Sequence, residues 1–362
     1  MPPIPANLPD LVRAAFVRAK ASGDLTFFPT QVALLRVQGV PFQLRFAPAL
    51  AKKPKGDKKD DSGKKDDKAP PPKPYDPFEE PPSGLVVLPE LNGGSHRLVL
   101  NKFAVSQDHA ILATTAWRPQ SHLLEASDME AAYVCIQAYA DCSEELYVFY
   151  NSGKYSGASQ PHRHLQLLPV SQMREGLKGD SEGEWSVLAD RLLGSDSHEV
   201  PFYVAAARLR GDDGTGDAPS AERLHAIYLD LYRQARAAAQ GTSAAIEAAD
   251  GYNTVAEERG ELPASISYNL ALTHHTMALL PRTAEGGTDN QYSLSLNGTV
   301  LAGTALVKNE AEWDALRSDP TQLGGVLAQI GVSPGSAGTT GAAGNGGAAA
   351  AGLRGRPSPS AL

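Results

Sequence analysis

Three polar side chains alternate at His162, His164 and Gln166, directly after a stretch rich in glycine and serine. In a β-strand, side chains two residues apart point to one face of the sheet, so these three groups would share a face. The preceding residues 151–160 offer small side chains and free backbone N–H groups, which permit close approach of phosphate oxygens. Imidazole and amide groups beside such a loop indicate phosphoryl or nucleotidyl chemistry.

The same two histidines also fit a zinc site, because imidazole is a frequent zinc ligand and the spacing suits a strand. The loop before them favours catalysis, since a buried structural pair of histidines does not need a glycine-rich approach. From the motif and the loop alone, the metal site stays an open alternative.

The composition of the 362 residues allows one large domain or two smaller ones. We find no apolar run of the roughly 18 residues that a transmembrane helix needs, and no basic start followed by an apolar segment that would indicate a secretory signal. Cys135 and Cys142 lie in one predicted helix, about 10 Å apart, which is too far for a disulfide and suits a reducing compartment. We therefore expect a cytoplasmic protein.

The charge is unevenly distributed along the chain. Residues 51–73 hold nine Lys and five Asp, a local charge of +4, so that the total of −8 leaves −12 on the rest. A body of that charge is a poor nucleic-acid binder, although a few local lysines suffice for a small phosphorylated substrate. We interpret residues 51–73 as a disordered insertion and residues 334–362, which are mostly Gly, Ala, Ser and Pro, as a disordered tail.

The pattern of apolar residues predicts an α+β fold in which a largely antiparallel sheet carries packed helices. A capping-box pattern places the start of one helix at Ser127, with Glu130 in its first turn, and its end near Cys142. The other predicted helices span 8–21, 184–193, 220–240, 310–316 and 321–330. The predicted strands span 30–46 with a turn at Gly39, then 85–88, 97–101, 109–115, 145–150, 202–209, a hairpin over 265–280, 292–296 and 300–307.

Several spaced blocks resemble one family within the HIT superfamily, the ATP adenylyltransferases or diadenosine tetraphosphate phosphorylases, over roughly residues 8–332. These blocks are the loop with its His-x-His-x-Gln motif, Asp76-Pro77-Phe78, residues 98–103 with His109, residues 268–273 and 277–282, and residues 302–308. The chain departs from the family pattern at Ala104, Asp108 and Thr276. The resemblance implies a HIT-like domain made of residues 1–50 and 74–333, with a C-terminal block at about 201–333.

The resemblance implies phosphorolysis of diadenosine tetraphosphate to ATP and ADP through a nucleotidyl-histidine. In that reading His164 is the nucleophile, and a neutral imidazole is able to attack phosphorus in line. His162 orients the strand or holds the phosphate, and Gln166 bonds a phosphate oxygen without acting as acid or base. The resemblance further implies substrate-binding roles for Lys53, Asn101, Lys102, Asn151, Gly157, Ala158, Ser159, Gln160, Thr273, Met277 and Arg282.

The implied small molecules are a dinucleoside polyphosphate and inorganic phosphate, with Mg²⁺ as counter-ion bound mainly by substrate oxygens. No nucleic-acid or membrane partner is expected, and the sequence does not identify a protein partner. Two other functions remain open: a uridylyltransferase acting on a hexose 1-phosphate, for which no Cys-x-x-Cys zinc pair is present, and a non-catalytic dinucleotide sensor.

Overall fold

The computed structural model describes residues 4–52, 75–178, 181–194, 199–210, 217–240, 256, 259–287 and 294–334. Residues 53–74 and 335–362 lie outside these ranges, so the disorder of the insertion and of the tail stays a prediction. Ala51 and Lys52, the first two residues of the predicted insertion, belong to a 3₁₀ helix, Pro48–Lys52. The ordered chain therefore continues slightly past the predicted boundary.

The helices and strands follow one another in an order typical of an α+β protein. The helices are α1 Leu8–Ser22, α2 Ala126–Asp141, α3 Val170–Arg174, α4 Ser181–Glu184, α5 Leu188–Arg191, α6 Ala221–Ala239, α7 Glu310–Ser318 and α8 Thr321–Ile330. The strands are β1 Thr26–Phe27, β2 Gln31–Val37, β3 Val40–Phe46, β4 Val86–Leu91, β5 His96–Leu100, β6 Phe103–Ala104, β7 Ala110–Thr114, β8 Leu146–Ser152, β9 His164–Pro169, β10 Ala205–Arg208, β11 Ser267–Leu272, β12 Thr276–Arg282 and β13 Thr304–Val307.

An eight-stranded sheet in the order β10-β12-β11-β8-β9-β7-β5-β4 forms the centre of the fold. Every neighbouring pair in it is antiparallel, which confirms the predicted fold class. Strand β9 lies near the middle of the sheet, between β8 and β7, and it contains His164 and Gln166 of the His-x-His-x-Gln motif. The register places Gln166 beside Ile111 and Phe149.

The two faces of this sheet are covered by different layers. Helices α1, α2 and α6 pack on one face, where Phe16, Ile136 and Tyr228 join the side chains of the strands in one apolar cluster. The three-stranded sheet β13-β3-β2 and the C-terminal helices cover part of the other face. Because alternate residues of β9 point to opposite faces, Leu165 and Leu167 enter the helical side while His164 and Gln166 face the other.

Most predicted elements are present at nearly the predicted positions. Helix α6 begins at its Ser220 cap, and the hairpin of β11 and β12 pairs from Ser267 to Arg282. Strands β2 and β3 pair across a turn that contains Gly39, whose φ of 91° lies in the left-handed region that glycine favours. Among the described residues, no helix is both long and apolar enough to cross a membrane.

The predicted capping box is wrong by two residues. Helix α2 is capped by Glu125, whose side chain accepts from the third helical residue, and Asp128 returns a hydrogen bond by accepting from the Glu125 N–H at 2.6 Å. Both registers satisfy the local pattern, but Asp128 also reaches Arg163 and His96 across the core. These long-range partners select the register, and the local sequence does not reveal them.

Four further predicted elements differ from the structure. In place of the predicted helix 184–193 there are two short helices, α4 and α5, because Trp185 lies between them, fully buried, with its indole N–H on the Gly303 carbonyl. The predicted strand 300–307 begins as a 3₁₀ helix, Gly298–Ala302, which ends at Gly303 with φ 70°. Strand β10 is shorter than predicted, and of the predicted strand 292–296 the described residues 294–296 are not extended into a sheet.

Candidate active site

The loop that leads into β9 is shaped by glycine and held from its inner side. Gly157 has φ 77°, and a Cβ there would lie 2.7 Å from the Leu296 carbonyl oxygen, so the loop requires glycine at this point. Ser156 is buried, and its carbonyl accepts from the Asn269 amide at 2.9 Å. Ala158 and Ser159 are exposed and Gln160 is half-buried, so the outer part of the loop faces solvent beside the motif.

His164 lies buried in the sheet with its tautomer fixed. Its Nδ1 donates to the carbonyl of His162 at 2.8 Å, which leaves Nε2 with the lone pair. Burial lowers the pKa of His164 to about 4, so the imidazole is neutral near pH 7. A neutral imidazole with an available Nε2 is the form that attacks phosphorus.

His162 is held at both ring nitrogens. Its Nδ1 lies 2.7 Å from an Asp76 carboxylate oxygen, and its Nε2 lies 2.9 Å from both the carbonyl and the hydroxyl oxygen of Thr114. The other Asp76 oxygen accepts from the Phe78 N–H at 2.9 Å, and the Phe78 ring lies 4.9 Å from the His164 ring, centroid to centroid. His162 thus orients the strand, and its nitrogens are not available to bind a metal together with His164.

Gln166 is oriented by a hydrogen-bond chain from the neighbouring strands. Its amide oxygen accepts from His109 Nε2 at 2.9 Å, and the Asn101 amide donates to His109 Nδ1 at 3.3 Å. Burial lowers the pKa of His109 to about 4, so this imidazole is neutral and has one N–H to donate. Because its oxygen is occupied, Gln166 presents its NH₂ group as a donor to the site.

Arg163 anchors the motif to the helical layer on the opposite face of the sheet. Its guanidinium, 1% exposed, donates to Asp128 at 2.8 Å and to Glu125 at 2.9 Å. Asp128 also lies 2.9 Å from His96 Nε2. Arg163 lies between the two motif histidines in the sequence. Its buried ion pair therefore fixes the position of this segment relative to the start of α2.

Three predicted substrate-binding residues are buried and have contacts within the protein. Asn151 is 2% exposed, and its amide oxygen accepts from Asn269 at 2.9 Å and from the Gly298 N–H at 2.8 Å. Arg282 is fully buried, donates to Asn269 Oδ1, and has its pKa lowered by burial to about 9. Met277 has no exposed surface and belongs to the apolar core, which favours a packing role, and its adenine contact stays a prediction.

The remaining predicted residues are scattered. Thr273 lies four residues beyond Asn269, about 13 Å at strand spacing, and its hydroxyl donates to Asp190 at 2.6 Å, so the structure does not bring it to the motif. Lys102 is exposed, with its ammonium group 5.9 Å from the centre of the Phe103 ring. Lys53 lies outside the described residues. In the part of the chain that is described, no three His, Cys, Asp or Glu side chains group together as a metal site.

Three functional residues were not assigned a role from the sequence. The resemblance includes His109 without giving it a role, although a histidine at the start of a predicted strand could have indicated a contact with the motif. Asp76 lies 86 positions from His162, and Gln120 lies 44 positions from His164. No local spacing connects such pairs, and only the folded sheet brings them together.

Comparison with known proteins agrees with this geometry. Residues 2–179 match the family model of the Ap4A phosphorylase N-terminal domain, and residues 198–333 match that of the ATP adenylyltransferase C-terminal domain. The chain is 32% identical over 356 residues to diadenosine 5',5'''-P1,P4-tetraphosphate phosphorylase 2 of Saccharomyces cerevisiae, covering 92% of this chain and 97% of that protein. It is 26% identical over 345 residues to Protein APA1 of the same yeast, covering 91% and 95%.

Solved structures of yeast Ap4A phosphorylase Apa2 have the same fold. The complex with AMP superposes with a TM-score of 0.67 at 26% identity, covering 90% of this chain and 97% of that one. The complex with Ap4A gives a TM-score of 0.69 at 25% identity, covering 90% and 98%. Because the similarity extends over nearly the whole chain and both matched regions, this protein belongs to the diadenosine tetraphosphate (Ap4A) phosphorylase family.

Proposed function

We propose that this chain is a nucleotidyltransferase that converts Ap4A and inorganic phosphate reversibly into ATP and ADP. The observation that carries the proposal is His164, which is neutral, buried and fixed through Nδ1 so that Nε2 is its nucleophilic atom. The family membership and the yeast relative solved with Ap4A support the dinucleotide as substrate.

The proposed reaction has two displacements at one phosphorus. His164 Nε2 attacks the α-phosphorus of one adenylyl group; an N–P bond forms, the bridging P–O bond breaks, and ATP leaves with the bonding electrons. A phosphate oxygen then attacks the same phosphorus, the N–P bond breaks, and ADP leaves while the imidazole is restored. The exposed part of the loop at residues 157–160 would supply donors to the phosphate oxygens.

Gln166 accounts for the preference for phosphate over water in this proposal. An amide held by His109 offers an N–H donor to a phosphate oxygen, but it cannot remove a proton from water. The adenylyl group on His164 would therefore persist until phosphate, which is already an anion, attacks it. A histidine at position 166 would supply the missing general base.

Mg²⁺ is part of the proposal as the counter-ion of the polyphosphate, and it neutralises charge on the phosphate oxygens. Asp76 is a carboxylate beside the motif, but its two oxygens are already engaged by His162 and by the Phe78 N–H. The donor set around His164 therefore fits an ion that arrives with the substrate and is held by substrate oxygens. A cytoplasmic location also belongs to the proposal, and imaging of the tagged protein tests it.

A product assay tests the function. The purified protein is incubated with Ap4A and Mg²⁺, with and without phosphate, and the nucleotides are separated. We expect ATP and ADP in equal amounts only when phosphate is present. ATP with AMP, or ADP alone, in the absence of phosphate would indicate a hydrolase and contradict the role of Gln166.

The nucleophile is tested separately with His164→Ala, which we expect to fold normally and to lose turnover by several orders of magnitude. Substantial phosphorolysis by this variant would refute the assignment of His164. Turnover of a uridine diphosphate sugar instead of Ap4A would favour the uridylyltransferase, and tight Ap4A binding without any product would favour the sensor.

A further inference from the structure

The side chain of Gln120 lies between two strands at the point where they separate. Strands β8 and β9 pair as far as Phe149 and Gln166, and beyond that point they diverge toward the glycine-rich loop. Continued in the same register, Tyr150 would face Leu165, and Asn151 would then face His164. Gln120, 4% exposed and located in the connection between β7 and α2, fills the space between them.

Gln120 bonds both backbone groups of His164. Its Oε1 accepts from the His164 N–H at 2.8 Å, and its Nε2 donates to the His164 carbonyl at 3.1 Å and to the Asn151 carbonyl at 2.8 Å. Only one orientation of the amide satisfies all three contacts, because two of the partners are acceptors and one is a donor. The Gln120 side chain therefore makes the hydrogen bonds to the His164 backbone that a residue of a neighbouring strand would otherwise make.

The backbone of Gln120 is itself fixed. Its N–H donates to the Pro161 carbonyl at 2.8 Å, and its carbonyl accepts from the Tyr150 hydroxyl. Pro119, one residue earlier, forms an isolated β-bridge with His162. A glutamine that is anchored at its backbone and bonded three times through its amide does not turn away from His164.

The contact continues through a set of buried polar groups across the sheet. Asn151, which receives the Gln120 amide at its carbonyl, receives Asn269 at its side chain. Asn269 in turn accepts from Arg282. Gln120 thus ends a chain of hydrogen bonds that runs from the C-terminal strands to the backbone of His164.

We propose that Gln120 is a positioning residue that holds the His164 backbone so that Nε2 is aligned with the attacked phosphorus. The proposal rests on the function proposed above, in which His164 is the nucleophile. A displacement of about 1 Å at a reacting atom costs on the order of 10²-fold in rate, and that is the size of effect expected when the three bonds are lost. Gln120 does not touch substrate, so Km for Ap4A is expected to change little.

Gln120→Glu tests the donor function at nearly constant shape. An ionised carboxylate still accepts from the His164 N–H but places negative charge against two carbonyl oxygens, whereas a protonated carboxyl donates to one of them. The variant should lose on the order of 10²-fold in kcat at about pH 8. It should also regain activity relative to wild type as the pH is lowered to about 5.5.

The titratable groups around the amide are the same in the variant and in wild type, so the ratio of the two kcat values separates the carboxyl at position 120 from them. Burial lowers the pKa of His164 to about 4 and raises that of Tyr150 above its usual value. Arg163 stays charged, because nearby carboxylates raise its pKa overall against the effect of burial. On the segment of Gln120 itself, Arg118 is cationic, and burial lowers the pKa of His122.

The matched control is Gln43→Glu, which changes an equally buried glutamine in β3 whose amide donates to the Met173 carbonyl at 2.9 Å. It should leave the ratio of kcat to wild type independent of pH. Gln120→Met, which removes all three hydrogen bonds, should lose a similar factor in kcat at every pH. Wild-type kcat in Gln120→Met, or a pH-independent ratio in folded Gln120→Glu, would overturn the proposal.

Amide hydrogen exchange separates this proposal from the proposed function. In Gln120→Met the peptide that spans residues 160–166 should exchange faster than in wild type, and in Gln43→Glu it should not. If wild type makes no ATP and ADP, the proposed phosphorolysis is refuted. The exchange rates of residues 160–166 still show whether Gln120 holds the His164 backbone. Unchanged exchange in Gln120→Met would reject it regardless of activity.

Discussion

Acidification gives a quantitative test of His164 as a nucleophile kept neutral by burial. Burial lowers its pKa from 6.5 to about 4, which corresponds to about 3 kcal/mol against charging the ring. At pH 5.5 about 97% of such a group is unprotonated, compared with about 9% for an imidazole of ordinary pKa. We therefore expect the rate of adenylyl transfer to His164 to be nearly flat from about pH 8 to 5.5 and to halve near pH 4.

The assay isolates the first displacement. Enzyme in excess is mixed with Ap4A and Mg²⁺ without phosphate, and ATP released in a single turnover is measured after rapid quenching. Ap4A has no terminal phosphate, so it lacks the group that titrates near pH 6 in phosphate monoesters. The pH dependence therefore reports groups of the enzyme, and samples returned to pH 7.5 show whether any loss is reversible.

Burial would be refuted as the controlling factor if the rate halved near pH 6.5. His109 requires a control, since burial lowers its pKa to about 4 as well. The His109→Gln variant removes that titration while it leaves His164 in place. If its acid limb moved away from pH 4 or disappeared, the limb would belong to His109 and not to the nucleophile.

Three further predictions follow from the same network. Gln166→His should add a general base and raise the ratio of AMP to ADP formed at fixed phosphate, and an unchanged ratio would remove the explanation given for the glutamine. His164 and His109 bind protons in the unfolded chain near pH 6.5 but in the folded protein only near pH 4. Their contribution to the free energy of unfolding should therefore be fully present above pH 6.5, and that free energy should be lower by about 2 kcal/mol per histidine at pH 5. Urea unfolding at both pH values measures this loss, and an equal loss in His109→Gln would contradict it. Asn269→Leu leaves Arg282 without one acceptor and the Ser156 carbonyl without its donor, so we expect about 2 to 4 kcal/mol lower stability and a higher Km for Ap4A, and retention of both values would show that the network does not hold the loop.

The sequence predicts the sheet and the motif because both are encoded by short-range patterns. Alternation over β9 determines which side chains share a face, and the apolar spacing of α6 determines its buried side. The hairpin of β11 and β12 follows from two apolar runs around a short turn. These signals need only neighbouring residues, and the structure confirms them.

The partners that complete the site depend on contacts between distant segments. Asp76 meets His162 and Gln120 meets His164 only after the sheet has formed, and the register in which Glu125 caps α2 is selected by the contact of Asp128 with Arg163. The surroundings of residues carried over by resemblance also depend on the fold. Arg282 lies in a strand whose residues are all buried, so a match in sequence does not place it at a surface.

The central sheet takes its strands from both matched regions, which has a consequence for synthesis on the ribosome. A nascent chain that ends near residue 179 contains β8 but not β11, so the edge of β8 that β11 pairs with from Val148 to Ser152 is open. An unpaired apolar edge is a template for association with other chains. We expect residues 2–179 expressed alone to aggregate, measured by light scattering, and to remain dispersed when residues 198–333 are coexpressed. The edge of β8 would then stay open until the ribosome has synthesised most of the chain.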